Sequence, residues 1–299
     1  MRTLAGRYRI TSPVGRGGMG EVWSGIDIRL NREVAIKLVS PEFTTDSDAR
    51  RRFHREARIT ARLHHPGVPA VFDFGEDTAG EDDGELFLVM ELVPGDTVGT
   101  LLGEYGGLPV GWAASIAAQA CAVLAAAHSV DLIHRDIKPE NLVLNPNGTV
   151  KLIDFGAATS LKVGEYSTIT QHGEPPLSLN YMAPELWEAA SASQSSDIFA
   201  IGVLLYELLT GSKPFAYGPG LAGYGNSTEL EPMQGVPTEL ENLIRRLLSA
   251  DSTQRPDAAA GHRALAPWIR ELPQLPGWIN RNLSQDPIHL YMDAIPTMR

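Results

Sequence analysis

Apolar and polar side chains alternate most clearly at Val34-Ala35-Ile36-Lys37, which predicts a strand with Val34 and Ile36 on one face and Ala35 and Lys37 on the other. Val22-Trp23-Ser24-Gly25-Ile26 predicts a strand returning from a glycine-rich turn, and Asn141 to Leu144 and Val150 to Ile153 predict two short strands. A helical period replaces alternation over Ala49–Leu63, where Phe53, Glu56, Thr60 and Leu63 share a face and Asp46 or Asp48 is placed to cap the first turn. Trp112 to Val130 is apolar on all sides. Its length suits a membrane span, but its alanine content, Ser115, Gln119 and His128, and the lack of basic flanks predict a buried core helix instead. Gly218 to Gly225 is too rich in glycine and proline to hold a helix. From Leu272 to Arg299, with Trp278, Tyr291 and spaced prolines, the pattern predicts an extended segment, and packing on the rest of the chain and hanging free stay open as alternatives.

Composition narrows the function classes. The chain has 299 residues, 43% hydrophobic and 20% charged, which suits a sizeable core. A net charge of −11 argues against nucleic acid as a general partner. Six arginines crowd between Arg50 and Arg62, whereas Leu63 to His134 holds no lysine or arginine; such a run is ordinarily a solvated helix face. The acidic stretch from Glu76 to Glu85 reads as an exposed connection between strands. A single cysteine, Cys121, precludes an intramolecular disulfide and fits a reducing compartment. With no apolar signal segment near the start, the expected location is cytoplasmic.

The chemistry concentrates in His134-Arg135-Asp136-Ile137-Lys138-Pro139-Glu140-Asn141. A carboxylate to take or orient a hydroxyl proton, an ammonium to face phosphoryl oxygens and an amide oxygen to ligate a cation are the groups that phosphoryl transfer needs. The triplet alone also fits a surface turn; the longer string, placed on a loop between a helix and a strand, favours catalysis. Downstream, Asp154-Phe155-Gly156 follows a strand, where a carboxylate is well placed for a metal. Upstream, Val14-Gly15-Arg16-Gly17-Gly18-Met19-Gly20-Glu21-Val22 has the Gly-x-Gly-x-x-Gly-x-Val spacing that lets backbone amides approach phosphates. Dinucleotide-binding turns share that spacing but open a helix, whereas Val22 begins a strand. Lys37 then needs an anion, and Glu56 is the candidate; a solvated pairing of Glu56 with its arginine neighbours is the bland alternative.

These motifs, in this order, resemble the bacterial branch of the eukaryotic-like serine/threonine protein kinases over about residues 8 to 270. Tyr181-Met182-Ala183-Pro184-Glu185 matches the end of that family's activation segment, Arg255 the arginine that pairs with the glutamate, and Asp197 the residue whose helix anchors the catalytic loop. The resemblance implies an α+β, bilobal fold with ATP between the lobes: a β-rich N-lobe over 1–90, a hinge over 91–96, a helical C-lobe over 97–270, and a C-terminal segment over 271–299. It implies a last N-lobe strand over Leu86 to Met90 with Met90 as gatekeeper. Adenine would bond the Glu91 carbonyl and the Val93 amide and lie among Val14, Val22, Ala35 and Val143, although plain core packing also explains each apolar residue.

The same resemblance implies Asp136, Lys138 and Asn141 as catalytic residues, with Asn141 and Asp154 holding Mg²⁺ and Lys37 pairing with the phosphates. Lys138 points to serine or threonine as acceptor. Ser178 stands where the family carries a threonine that bridges Asp136 and Lys138, and an ordinary loop serine is the alternative; Leu177 departs from the usual glycine before it. Arg135 implies a phosphorylated activation loop, with Thr168 and Thr170 the preferred sites and Ser167 next. The expected activity is therefore an ATP- and Mg²⁺-dependent serine/threonine protein kinase that also phosphorylates itself. An ATP-binding pseudokinase scaffold and a small-molecule kinase are the rivals. A dimer is possible, with nothing in the sequence to support it.

Overall fold

The computed structural model describes residues 2–17, 20–40, 47–77, 84–155, 177–187, 191–215, 230, 232–269, 272, 275 and 291. The chain divides into two compact units, one built on residues 1–64 and 68–94 and the other on 65–67, 95–154 and the helices that follow.

The first unit is a six-stranded antiparallel sheet with one helix. Strands β1 (Thr3–Leu4), β2 (Tyr8–Gly17), β3 (Gly20–Asp27), β4 (Arg32–Val39), β5 (Val71–Asp77) and β6 (Glu85–Met90) line up in the order β1-β2-β3-β4-β6-β5. The alternation predicted at Val34–Lys37 holds. Val34, Ile36 and Leu38 join Leu4, Tyr8, Phe87 and Val89 in one buried cluster, while Lys37 on the opposite face is half-buried. Helix α1 (Ser47–Thr60) begins and ends earlier than the periodicity predicted. Asp48 thus lies inside the helix, Asp46, the other capping candidate, lies outside the described residues, and Leu63 lies past the helix end, where its N–H donates to the Thr60 carbonyl at 3.0 Å.

The ends of the acidic stretch belong to strands, and residues 78–83 between them lie outside the described residues. Glu76 and Asp77 end β5 and Glu85 opens β6, with Asp77 opposite Glu85 in the ladder and itself buried. Arg2 reaches both carboxylates, so cross-sheet charge lets strand pairing run into an acidic segment. A second buried carboxylate, Asp27, takes both ends of the Arg7 guanidinium, at 3.0 and 2.7 Å, and the backbone N–H groups of Arg29 and Leu30. The Arg7 bonds hold its carboxyl down at about 2.

The second unit forms around helix α3 (Val110–His128). Alanine gives it high helical propensity, and its apolar residues leave no polar stripe, so it is buried on every side. Among the described residues this is the one helix long and apolar enough to cross a membrane, and it is a core helix here. It packs against the helices Gln194–Thr210 and Ala258–Leu265. The first of these starts at a capping box, Ser193 with Ser196, and stops at Gly211, whose φ of 73° is the left-handed cap that glycine adopts freely. A three-stranded sheet of β7 (Asp96–Thr97), β8 (Leu142–Leu144) and β9 (Val150–Leu152), in that order, lies beside helix α2 (Val98–Tyr105). Gly218 to Gly225 and nearly all of the segment after Leu272 lie outside the described residues.

Candidate active site

The loop that carries Asp136 is tied down from behind. Asp197, in the first turn of Gln194–Thr210 and almost fully buried, accepts the backbone N–H groups of His134 at 2.9 Å and Arg135 at 2.8 Å, and the His128 Nε2–H at 2.9 Å. Three donors satisfy a carboxylate that burial would otherwise destabilise. Arg135 has φ 69° and Asp154 φ 64°, a left-handed conformation uncommon for residues with a side chain.

His134 links the two catalytic segments. Its ring is wholly buried, and burial pushes its pKa down, so it is neutral at pH 7. The Ile153 carbonyl can only accept, so Nε2 carries the proton and donates to it at 3.0 Å, while Nδ1 accepts the Asp136 N–H at 3.3 Å. The Ile153 N–H in turn donates to the Asn141 carbonyl at 2.9 Å. The residue before Asp154 is thereby bonded on both backbone atoms to the loop that carries Asp136 and Asn141.

Within that loop, Asp136 Oδ2 accepts the Lys138 ammonium at 2.7 Å and the Asn141 amide at 2.8 Å. Asn141 Nδ2 also donates to the Asp136 carbonyl at 2.7 Å. The amide NH₂ of Asn141 is therefore spent on Asp136, and the amide oxygen is the atom left for a cation. Asp136 Oδ1 takes no hydrogen bond from the described residues, leaving one carboxylate oxygen for an incoming hydroxyl. The side chains of Asp136 and Lys138 are each about a quarter exposed, so a substrate group can reach them. Among the described residues no three His, Cys, Asp or Glu side chains converge on a metal-sized site. Magnesium held together with a nucleotide needs only one or two protein ligands, because phosphates and water supply the rest, and Asn141 and Asp154 fit that requirement.

The nucleotide-facing candidates of the first unit sit on its hairpin. Gly15 pairs with Val22, Arg16 with Glu21 and Gly17 with Gly20. A side chain at Gly20 would fall on the Leu38 carbonyl, and its φ of 146° also excludes one, so this glycine is required by the fold; a Cβ at Gly15 would meet nothing. Lys37 stands between Val22 and Leu88, and Ala35 between Ser24 and Met90. Val14 is well exposed for its type, at 58%. Glu91 donates its N–H to the Ala70 carbonyl at 2.9 Å, fixing the start of the segment that contains Val93. Val143 in the second unit is buried in β8. Gly18, Met19, Gly156, Ser167, Thr168 and Thr170 lie outside the described residues, as do the side chains of Gly17, Glu56 and Ser178.

The segment after the activation loop is locked as a buried ion pair. Arg255, fully buried, donates to both oxygens of Glu185 at 2.8 and 2.9 Å and to the carbonyls of Ser249 and Ser195. The same segment is held again by the Tyr181 hydroxyl, which donates to Glu207; burial raises the pKa of both. Sequence reasoning missed Gln119, whose side chain bonds the Gly148 carbonyl and the Val150 N–H and so pins the β8–β9 hairpin to α3. A lone glutamine inside an alanine-rich helix was the available signal.

A family model described as protein kinase domain matches residues 8–268. The chain belongs to this family. The kinase chain is 38% identical over 254 residues to serine/threonine-protein kinase PknA of Mycobacterium tuberculosis (strain ATCC 25618 / H37Rv), covering 85% of this chain and 58% of the relative. It is 34% identical over 264 residues to serine/threonine-protein kinase PrkC of Bacillus subtilis (strain 168), covering 86% of this chain and 40% of the relative. The kinase chain thus spans about three-fifths or less of these relatives. Among solved structures, the Mycobacterium tuberculosis PknI kinase domain superposes with a TM-score of 0.71 at 28% identity, covering 89% of this chain and 98% of that one.

Proposed function

We propose that this kinase chain transfers the γ-phosphoryl group of ATP to serine and threonine hydroxyls of proteins, itself included, with Mg²⁺. The observation that carries the proposal is the Asp136 carboxylate, with one oxygen holding Lys138 and Asn141 and the other bonded by none of the described residues, so that a hydroxyl can reach it. Asp136 orients the acceptor hydroxyl and takes up its proton as the new O–P bond forms. Lys138 stabilises charge on the transferring group, and Asn141 and Asp154 are the residues that would hold the metal. A Mg²⁺ ion held there would supply neutralisation of the charge on the phosphates. Lys37, by family resemblance, pairs with the α- and β-phosphates.

A pseudokinase reading has no observation in its favour, since Lys37, Glu56, Asp136, Asn141 and Asp154 are all present. Phosphorylation at Thr168, Thr170 or Ser167 and a cytoplasmic location, where ATP is plentiful, complete the proposal. The test is incubation with radiolabelled ATP and Mg²⁺, followed by acid hydrolysis of the protein fraction. Label in phosphoserine or phosphothreonine is expected; label on small molecules alone, or none, contradicts the proposal.

A further inference from the structure

Strand β9 carries its sheet's outer edge. Among the described residues only β8 pairs with it, and the strand leads directly to Asp154. Val150 and Leu152 turn their backbone groups away from β8, and three of these groups are met from elsewhere. The Val150 N–H donates to Gln119 Oε1 at 2.9 Å, and the Leu152 N–H to the Gly67 carbonyl at 2.8 Å. The Val150 carbonyl accepts the hydroxyl of Tyr291.

Tyr291 lies beyond the residues matched by the kinase family, 8–268, and is wholly buried. Its ring meets His65 edge to face, with centroids 5.1 Å apart and planes at 85°. It also fills the space beside Gly67, where an added Cβ would collide with Val123 and with the tyrosine ring. One side chain thus touches the β9 edge at the Val150 carbonyl and also the His65–Gly67 turn that accepts the Leu152 N–H.

We infer that Tyr291 is a positioning residue for phosphoryl transfer, completing the outer edge of β9 so that the strand presents the metal-ligating Asp154 at a fixed height beside Asn141. The inference rests on the kinase reading for its catalytic consequence and on the hydrogen bonds alone for its structural one. An edge strand with an unmet buried carbonyl frays. Fraying here is transmitted to Ile153, whose N–H and carbonyl bond Asn141 and His134. The hydroxyl is the atom that matters, because the ring alone fills the space beside Gly67.

The test uses the full chain and two variants, Tyr291→Phe, which keeps the ring, and Tyr291→Ala, which removes it. Amide hydrogen exchange is followed at Leu152 and Ile153 without nucleotide, and phosphoryl transfer is followed as Mg²⁺ is varied. In Tyr291→Phe the loss of one hydrogen bond should speed exchange at these two amides and raise the half-saturating Mg²⁺ concentration, each about threefold or more, while the KM for protein substrate stays unchanged. Tyr291→Ala should show both effects more strongly. The inference is overturned if Tyr291→Phe matches wild type in exchange and in Mg²⁺ dependence, or if exchange accelerates equally throughout the protein, which marks a general loss of stability. Should the wild-type chain transfer no phosphate, the kinase reading fails, and the exchange measurement still decides whether Tyr291 holds the strand.

Discussion

Asp197 holds Arg135 in a left-handed backbone conformation: its Oδ1 lies 2.8 Å from the Arg135 nitrogen, and Arg135 has φ 69°. That conformation costs about 1 kcal/mol or more for a residue with a side chain. The buried carboxylate offsets this cost by accepting two successive N–H groups, those of His134 and Arg135. Asp197→Asn removes the charge and presents an amide NH₂ to donors. It should lower stability by about 2–3 kcal/mol in urea unfolding and kcat by about 10²-fold, since misplacement of the catalytic group is costly. Unchanged kcat in a folded variant would show that the anchor is dispensable.

Glu185 and Arg255 make the second internal lock. Replacing Glu185 with alanine leaves a guanidinium buried without its carboxylate, a loss of about 3 kcal/mol. Replacing both with apolar residues of similar volume should recover part of it. Denaturant unfolding of the single and double variants checks this, and a single variant as stable as wild type would be incompatible with the bidentate pair.

Gly20→Ala should disable the glycine-rich hairpin, because the new methyl group meets the Leu38 carbonyl and the backbone must leave φ 146°. The expected result is a KM for ATP raised at least about tenfold. Gly15→Ala meets no atom of the described residues within 4 Å, so thermal unfolding should separate the two: a clear loss for Gly20→Ala and little change for Gly15→Ala.

Acid should weaken the fold in two stages. The pKa of His65 is pushed down to about 4 by burial, helped by His262 and Lys151, so the folded state keeps this ring neutral where the unfolded chain, near 6.5, takes up a proton. Stability is therefore complete above pH about 6.5 and falls toward about 4. Asp27 acts lower down. Its carboxyl is held at about 2 by Arg7, so its contribution is present above about 4 and lost as pH falls through about 2. His65→Asn keeps an acceptor for the Gly67 N–H, which now bonds Nδ1 at 3.0 Å, and should reduce the upper stage, to which the buried His134 and His262 also contribute, while leaving the lower one unchanged. Urea midpoints measured across this range test the assignment, and an unaltered upper stage would refute it.

The strands and helices that frame the site were legible because their hydrophobic periods are strong: Val34–Lys37 alternates, and α3 is apolar throughout. Asp136, Lys138, Asn141 and Asp154 stand out as candidates in the sequence because phosphoryl transfer demands particular groups at close spacing, and the structure joins Lys138 and Asn141 to Asp136 by hydrogen bonds. The partners that fix those groups were not. His128 and Gln119 looked like incidental polar residues in an apolar helix, and Tyr291 like part of an unassigned segment. Each acts through a contact distant in sequence, with Asp197, Gly148 and Val150 respectively, and no local pattern encodes such a contact. The pairing of Asp77 with Glu85 was hidden for the same reason, since the compensating charge comes from Arg2.

The most direct measurement compares wild type with Asp136→Asn for transfer of the γ-phosphoryl group of ATP to protein serine and threonine, with nucleotide binding measured alongside. Asp136→Asn is expected to bind ATP like wild type and to transfer phosphate at least about 10²-fold more slowly. Equal turnover by the two proteins would contradict the role given to Asp136 and with it the catalytic account.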